Sequence, residues 1–410
     1  MDGLRFPVFN DGDVMVRIGQ KAYQLHSDVL RRHSRLFRHA LQDAPRFEGF
    51  VHFYLTPSEL SDVGILEVQK TWDSSFPMIE RLFDEPAKVR EYWDNILRVL
   101  YKIKPNLYLL NRDPATVAFE LVDLGATIGS KTIVDHGVDL ALRDFGQQLF
   151  LMISEDPVGW LFFGNRIRSG LIYHEALVHL VGKWHQLPSE DQARAALLPE
   201  YTENIVIASS RALERTKENV EASLLTYTPS WISLEADIPY LVENCMLQAV
   251  GIFRQWFCHQ VADANSLDNW GARTRLYRTI AAGGNAYLED DKLEYLHGSP
   301  IYWGLAEEHE IDDNLNLIKD GVKLIVAPLL VNESRYDPQQ LGRLPYLTCI
   351  RIEVEDIPWN EWAVEDGING LPDIGSSDSE SSSTDSWVSS VHYSDDAMVD
   401  GLAEMMEGYK

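Results

Sequence analysis

Residues 11–41 constrain the fold more than any other stretch, because they combine a strand period, a tight turn and two helix starts. Apolar and polar side chains alternate at its beginning, the period of a strand buried on one face, with the apolar positions at Val14, Val16 and Ile18. Gly19-Gln20 follows with glycine first, as a two-residue type II′ hairpin turn requires. Ser27 and Ser34 then stand where N-caps begin two short helices. The stretch predicts a β-hairpin followed by two helices.

The elements that follow extend this pattern. Residues 50–55, Phe-Val-His-Phe-Tyr-Leu, predict a third strand that ends before Pro57. Residues 89–102 carry an apolar stripe at helical spacing. Asp113-Pro114 predicts a helix with Asp as its cap and Pro at its first position. Ser130 predicts the cap of another helix.

These elements resemble the start of a BTB (POZ) domain, over about residues 11–145. The resemblance is carried by four motifs, Gly12-Asp13-Val14, Leu25-His26-Ser27-x-Val29-Leu30, Ser34-x-x-Phe37 and Leu100-Tyr101. It implies an α+β fold, a small sheet flanked by helices, that mediates protein–protein interaction and dimerisation. An insertion at residues 56–88 departs from the family pattern.

The resemblance also implies two sets of contact residues. BTB adaptors that recruit a cullin carry a hydrophobic-x-Glu motif, which falls here on Leu41, Gln42 and Asp43, with Asp replacing Glu. The cullin-contact candidates are therefore Leu41, Gln42, Asp43, Tyr101 and Lys102. The dimer-interface candidates are Asp13, Val14, Ser27 and Asp28. Leu41 equally fits the last core position of its helix.

Beyond residue 145 the sequence predicts three further regions. Residues 146–225 read as a helical extension, BACK-like by analogy only. Residues 230–370 read as a mainly helical C-terminal domain, with a long helix at 236–262 and a late strand at 347–354. Residues 371–410 form an acidic, Ser-rich, low-complexity tail that predicts disorder. Serines followed by acids there are phosphorylation candidates, namely Ser377, Ser379 and Ser383; a plain solubilising tail is the alternative.

Composition narrows the class of partner and compartment. The net charge of −27 argues against a nucleic-acid partner, because phosphate contacts require clustered Lys and Arg. Only three cysteines occur, far apart, which argues against a disulfide framework and for a reducing compartment. No signal peptide and no apolar run long enough for a membrane span is visible. The sequence predicts a cytoplasmic or nuclear protein without membrane contact.

Three motifs resemble sites that carry chemistry. His174, Glu175 and His179 suggest a zinc peptidase, but the histidines are five apart rather than four, so partly exposed helix histidines are expected. The Gly-rich residues 125–132 lack phosphate-loop spacing and fit a helix end followed by a cap. The basic cluster at residues 31–39 fits nuclear import, anion binding or simply two solvated helix faces. We expect no catalytic residues, no metal, no cofactor and no enzyme activity.

Two functions remain open from the sequence. In the first, the chain is a dimeric substrate adaptor of a cullin-RING ubiquitin ligase, which binds the cullin through its N-terminal domain and an unknown protein substrate through the C-terminal region. In the second, it is a non-enzymatic homo-oligomeric scaffold without a ubiquitin role.

Overall fold

The computed structural model describes residues 6–18, 21–42, 44, 46–47, 49–55, 86–109, 112–229, 240–265, 271–289 and 305–359. The hairpin turn at Gly19-Gln20, nearly all of the 56–88 insertion and the acidic tail lie outside these residues. Most of the described chain is helical, and a small sheet lies near its N-terminus. The α+β class expected from the sequence is confirmed at this level.

The sheet has four strands in the order β2-β1-β4-β3. Strand β1 (Val14–Ile18) is central, antiparallel to β2 (Lys21–Leu25) and parallel to β4 (Phe50–Leu55), and β3 (Arg46–Phe47) pairs antiparallel with β4. The register places Val14 opposite both Leu25 and Val51. All three side chains are buried, as a one-faced strand period requires. The three predicted strands are confirmed, and β3 is an addition.

Five helices complete the N-terminal part, namely α1 (Ser27–His33), α2 (Arg35–Ala40), α3 (Pro86–Leu100), α4 (Pro114–Thr127) and α5 (Lys131–Arg143). Two predicted caps form, because Ser34 accepts a hydrogen bond from the N–H of Phe37 and Asp113 accepts one from the N–H of Thr116. Two others do not. Ser27 is the first residue of α1, and His26 stands at the N-cap without a side-chain cap bond. The N–H of Ser27 is bonded to Asp13 instead. Ser130 stands at the N-cap of α5, but its hydroxyl makes no cap bond.

Residues 147–226 are helical, as the sequence predicts. The helices are α6 (Gln147–Glu155), α7 (Pro157–Ile167), α8 (Gly170–Lys183), α9 (Ser189–Ala195) and α10 (Glu200–Thr226). Helix α8 is the most enclosed, since nine of its residues are buried. It packs against α6, α7 and α10, so it has buried residues on more than one of its faces.

The C-terminal part contains α11 (Tyr240–Ala264), α12 (Ala272–Ala282), α13 (Leu305–Val326) and the short α14 (Pro338–Leu341). The long helix predicted at 236–262 corresponds to α11. The strand predicted at 347–354 is wrong, because residues 347–353 have no regular structure and a 3₁₀ turn follows at Val354–Asp356. Its side chains Leu347 and Ile352 are buried, and within the described ranges every strand pairing belongs to the N-terminal sheet, so these residues have no ladder of backbone partners there.

Residues 1–362 group into one compact unit, and the buried apolar side chains of its described parts belong to one hydrophobic cluster that runs from Phe6 to Ile352. The boundaries predicted at 145 and 230 therefore stay predictions. Among the residues that the structure describes, no helix combines the length and the apolar character needed to cross a membrane.

Candidate interaction surface

Helices α11, α12 and α13 pack against one another around an aromatic and aliphatic core. Phe253 and Phe257 of α11 stack with ring centroids 6.2 Å apart, and both are buried. Ile318 and Val322 line the buried side of α13. Helix α12 ends at a glycine, Gly283, whose φ of 63° lies in the left-handed region that favours this residue.

Hydrogen bonds from polar and charged side chains connect these helices to neighbouring segments. Arg273 and the hydroxyl of Tyr277, both on α12, donate to the same carboxylate oxygen of Glu221 on α10, at 2.9 and 2.5 Å. The buried Lys319 of α13 donates to the carbonyl of Leu288 at 3.1 Å. The bond of Lys319, with the burial of Ile318 and Val322, shows which side of α13 faces inward.

The solvent side of α13 alternates acids and leucines. Leu317 is 50% exposed and Leu324 is 79% exposed, whereas the side chains of Asp313 and Asp320 are 65% and 71% exposed. The four positions 313, 317, 320 and 324 follow the i, i+4, i+7, i+11 spacing of one helix face. We call this set the acid–leucine face. Two exposed leucines therefore lie on one helix face, two turns apart and with an acid between them.

The cullin-contact candidates differ in exposure. Leu41 is 3% exposed and belongs to the hydrophobic core, which agrees with the core alternative. Gln42 is exposed, and Asp43 lies outside the described residues. The hydroxyl of Tyr101 accepts a hydrogen bond from the N–H of His26 at 2.7 Å, and Lys102 is exposed with a left-handed φ of 58°.

The dimer-interface candidates are mostly used within the chain. Val14 is fully buried in the central strand and Ser27 is buried, so neither side chain is available to a second copy. Asp13 accepts the N–H of Ser27 at 2.8 Å and pairs with Arg46 at 3.4 Å. Burial alone would raise the pKa of the Asp13 carboxyl, but these partners lower it below its ordinary value. Only Asp28 of this set is exposed. The phosphorylation candidates Ser377, Ser379 and Ser383 lie outside the described residues.

A second group of polar residues is enclosed rather than exposed. Ser334 donates to Glu175 at 2.8 Å and lies 3.1 Å from Nε2 of His179, whose Nδ1 lies 2.9 Å from the hydroxyl of Tyr346. Glu175 also accepts the N–H of Arg335 at 2.6 Å. We call Glu175, His179, Ser334 and Tyr346 the buried polar cluster. It joins α8 to the segment at residues 331–359.

The buried polar cluster does not have the geometry of a nucleophilic site. The proton of Ser334 is directed at the carboxylate rather than at the imidazole, and the backbone N–H of Tyr336 occupies the hydroxyl as well, at 2.9 Å. The nearest cavity, of about 450 Å³, is lined by Tyr346 but by neither Ser334 nor His179. The arrangement therefore satisfies buried polar groups and holds two segments together.

No sequence motif predicted this cluster. The expected partial exposure of His174 and His179 is wrong for His179, because His179 and Glu175 are both fully buried. Burial, followed by the positive charge of Lys183, lowers the pKa of His179 to about 3, and burial raises the pKa of Glu175. Their spacing of four within an apolar helix was the available signal. No group of three or more His, Cys, Asp or Glu in the described part of the chain is arranged to hold a metal ion.

Comparison with known families identifies one segment. Residues 235–328 match the fungal FF domain family. The match spans α11, α12 and α13, including the acid–leucine face, together with residues outside the described ranges. No curated protein and no solved structure matches the chain.

This match corrects the family inferred from the N-terminal stretch. The BTB (POZ) assignment is wrong, since the family that matches is an FF domain and no BTB family does. The homodimer and the ubiquitin-ligase role, which were inferred from that assignment, lose their basis with it. Strands β1 and β2 and helices α1 and α2 do form as their periods predict, but two paired strands followed by two helices specify local structure and not a family.

Proposed function

We propose that this chain is a non-enzymatic protein-interaction protein whose FF-like helices bind an amphipathic helix of a partner. The observation that carries the proposal is the acid–leucine face of α13. FF domains are generally protein-interaction modules, which supports a binding role for the same helices.

The chemistry of the face defines the partner. Leu317 and Leu324 lie two helical turns apart, a spacing that suits an apolar ridge on a docked helix. Asp313 and Asp320 stand beside them, and Asp320 also forms an exposed ion pair with Lys323 at 2.7 Å. Both carboxylates stay largely exposed and favour Lys or Arg on the partner, because complementary charges set orientation and association rate. The partner segment is therefore a basic amphipathic helix with leucine-like anchors.

The experiment uses a fluorescein-labelled helical peptide that carries a leucine stripe flanked by lysines, and a twin in which glutamates replace the lysines. Fluorescence anisotropy with the full chain is expected to show binding of the lysine peptide and much weaker binding of the glutamate twin. In the double variant Leu317→Ser and Leu324→Ser, affinity is expected to fall about a hundredfold, since each buried leucine anchor contributes about 1.5–3 kcal/mol.

Leu140→Ser is the matched control, because Leu140 is also a helical leucine and is 45% exposed, but it lies outside the FF match. This variant is expected to bind the lysine peptide like the wild type. Equal loss in the control and in the double variant, or unchanged binding in the double variant, would contradict the proposed face.

A further inference from the structure

A basic surface stands out on a chain of net charge −27. Residues 27–42 hold four arginines and one acidic residue, Asp28. We define the basic patch as these arginines together with the exposed Lys102, that is, Arg31, Arg32, Arg35, Arg38 and Lys102. Within the described ranges, none of the five forms an ion pair with a carboxylate.

Backbone bonds hold two of the guanidinium groups in place. Arg31 donates to the carbonyl of Leu41 at 2.9 Å, just past the end of α2, and Arg38 donates to the carbonyl of Arg31 at 3.0 Å, near the end of α1. Cations at helix C-termini are favoured by the carbonyls that remain unpaired there. Each bond occupies one N–H of a group that has five, so most donors stay directed outward.

The remaining cations crowd the same surface. The stem of Arg35 lies against Gly129, whose φ of 66° and missing side chain make room for it. Burial, and then the positive charges of Arg32 and Lys102, lower the pKa of His33. The charges of Arg32 and Lys102 therefore both act on the imidazole of His33, so both side chains lie near the pair of helices α1 and α2.

We propose that the basic patch binds a short acidic segment of a protein, through carboxylate or phosphate groups held by its arginines. The planar guanidinium pairs with either group through two parallel hydrogen bonds, which a lysine cannot do. The four arginines are held on two short helices tied to each other, so little order is lost when a ligand binds.

The net negative charge of the chain favours a short acidic peptide over a long nucleic acid or an anionic membrane. At physiological salt, charges interact over about 8 Å, so a short segment on the patch senses mainly the patch. A long nucleic acid or an anionic membrane extends past it and meets the acidic remainder of the chain, which repels it. A short acidic peptide avoids that cost.

The test measures anisotropy of a fluorescein-labelled peptide of alternating Asp, Ser and Glu residues, and of the same peptide with phosphorylated serines. Both are titrated with the full chain. Binding is expected for both, and tighter binding of the phosphorylated form would identify phosphate as the preferred source. The double variant Arg32→Gln and Arg35→Gln is expected to weaken binding about tenfold, since each exposed charge pair contributes up to about 1 kcal/mol.

Arg211→Gln with Arg215→Gln is the matched control, since it removes the same charge from two exposed arginines of α10. It is expected to leave the affinity within about twofold of the wild type, and Arg32→Lys with Arg35→Lys to fall between the wild type and the Gln pair. Three results would overturn the proposal: no binding of either peptide, equal loss in the control pair, or binding of phosphatidylserine vesicles or single-stranded RNA in preference to the peptides.

Discussion

Removal of the Ser334 hydroxyl tests whether the buried polar cluster holds residues 331–359 against α8. In Ser334→Ala, Glu175 loses the donor at 2.8 Å, and the N–H of Tyr336 loses its acceptor at 2.9 Å. A bond to a charged group contributes about 1.5–3 kcal/mol, and a buried donor without an acceptor costs about 1–3 kcal/mol. These terms share one hydroxyl and are not additive, so we expect a loss of about 3 kcal/mol.

Hydrogen exchange followed by mass spectrometry measures this loss locally. Amide protection in residues 331–359 is expected to fall about a hundredfold, the equivalent of about 3 kcal/mol. Ser223→Ala is the control, because the hydroxyl of Ser223 bonds only the carbonyl of Asn219 on the exposed side of α10. Its effect is expected to stay within about 0.5 kcal/mol. Equal protection of residues 331–359 in the two variants would refute the assigned role of the cluster.

Two further perturbations address the same packing. A Cβ at position 182 would overlap the carbonyl oxygen of Leu347, so Gly182→Ala is expected to lower the melting temperature. At Gly251 a Cβ meets nothing within 4 Å, so Gly251→Ala gains up to about 1 kcal/mol of helix propensity and is expected to raise the melting temperature. The folded pKa of His179, about 3, lies below the ordinary 6.5, so its contribution to stability is complete above pH 6.5 and is lost as pH falls toward 3, by at most about 1.4 kcal/mol per pH unit. The raised pKa of Glu175 changes stability with pH in the opposite direction, so the contribution of His179 must be isolated by a variant. The check is the urea midpoint of unfolding measured against pH in the wild type and in His179→Asn. Identical slopes of midpoint against pH in the two proteins would contradict the assignment.

Local periods in the sequence were sufficient to predict most individual elements. Val14 and Val16 lie two positions apart and are buried in β1, and the Asp113 cap and the apolar stripe of α3 appear where their spacing predicts. Each of these features depends on residues within a few positions of one another. That is the range over which propensity and capping act.

What the sequence failed to predict depends on distant residues. The parallel pairing of β1 with β4 and the contact of His179 with Ser334, 155 positions apart, have no local signature. Residues 347–353 alternate like a strand, but a strand also needs a neighbour with free backbone groups, and these residues pair with no strand among the described residues. The exposure of Leu317 was equally hidden, because its spacing fits the apolar stripe of a buried helix face.

The two proposed binding surfaces carry opposite charges, so electrostatics alone must be separated from specific recognition. A basic peptide is attracted to any chain of net charge −27, and this attraction alone would imitate binding at the acid–leucine face. The variants Leu317→Ser and Leu324→Ser leave the charge unchanged, so loss of binding in them measures the apolar contact.

The basic patch needs the converse control. Neutralising Arg32 and Arg35 changes the net charge by the same amount as neutralising Arg211 and Arg215, so a difference between these pairs reports position and not total charge. The salt dependence of binding then distinguishes the two surfaces. Raising the ionic strength is expected to weaken binding of the acidic peptide strongly and binding of the leucine peptide only in part, because salt does not screen the burial of leucine. If both peptides lost affinity in parallel with salt, the leucines would not be anchors, and the acid–leucine face would be only a charged helix surface.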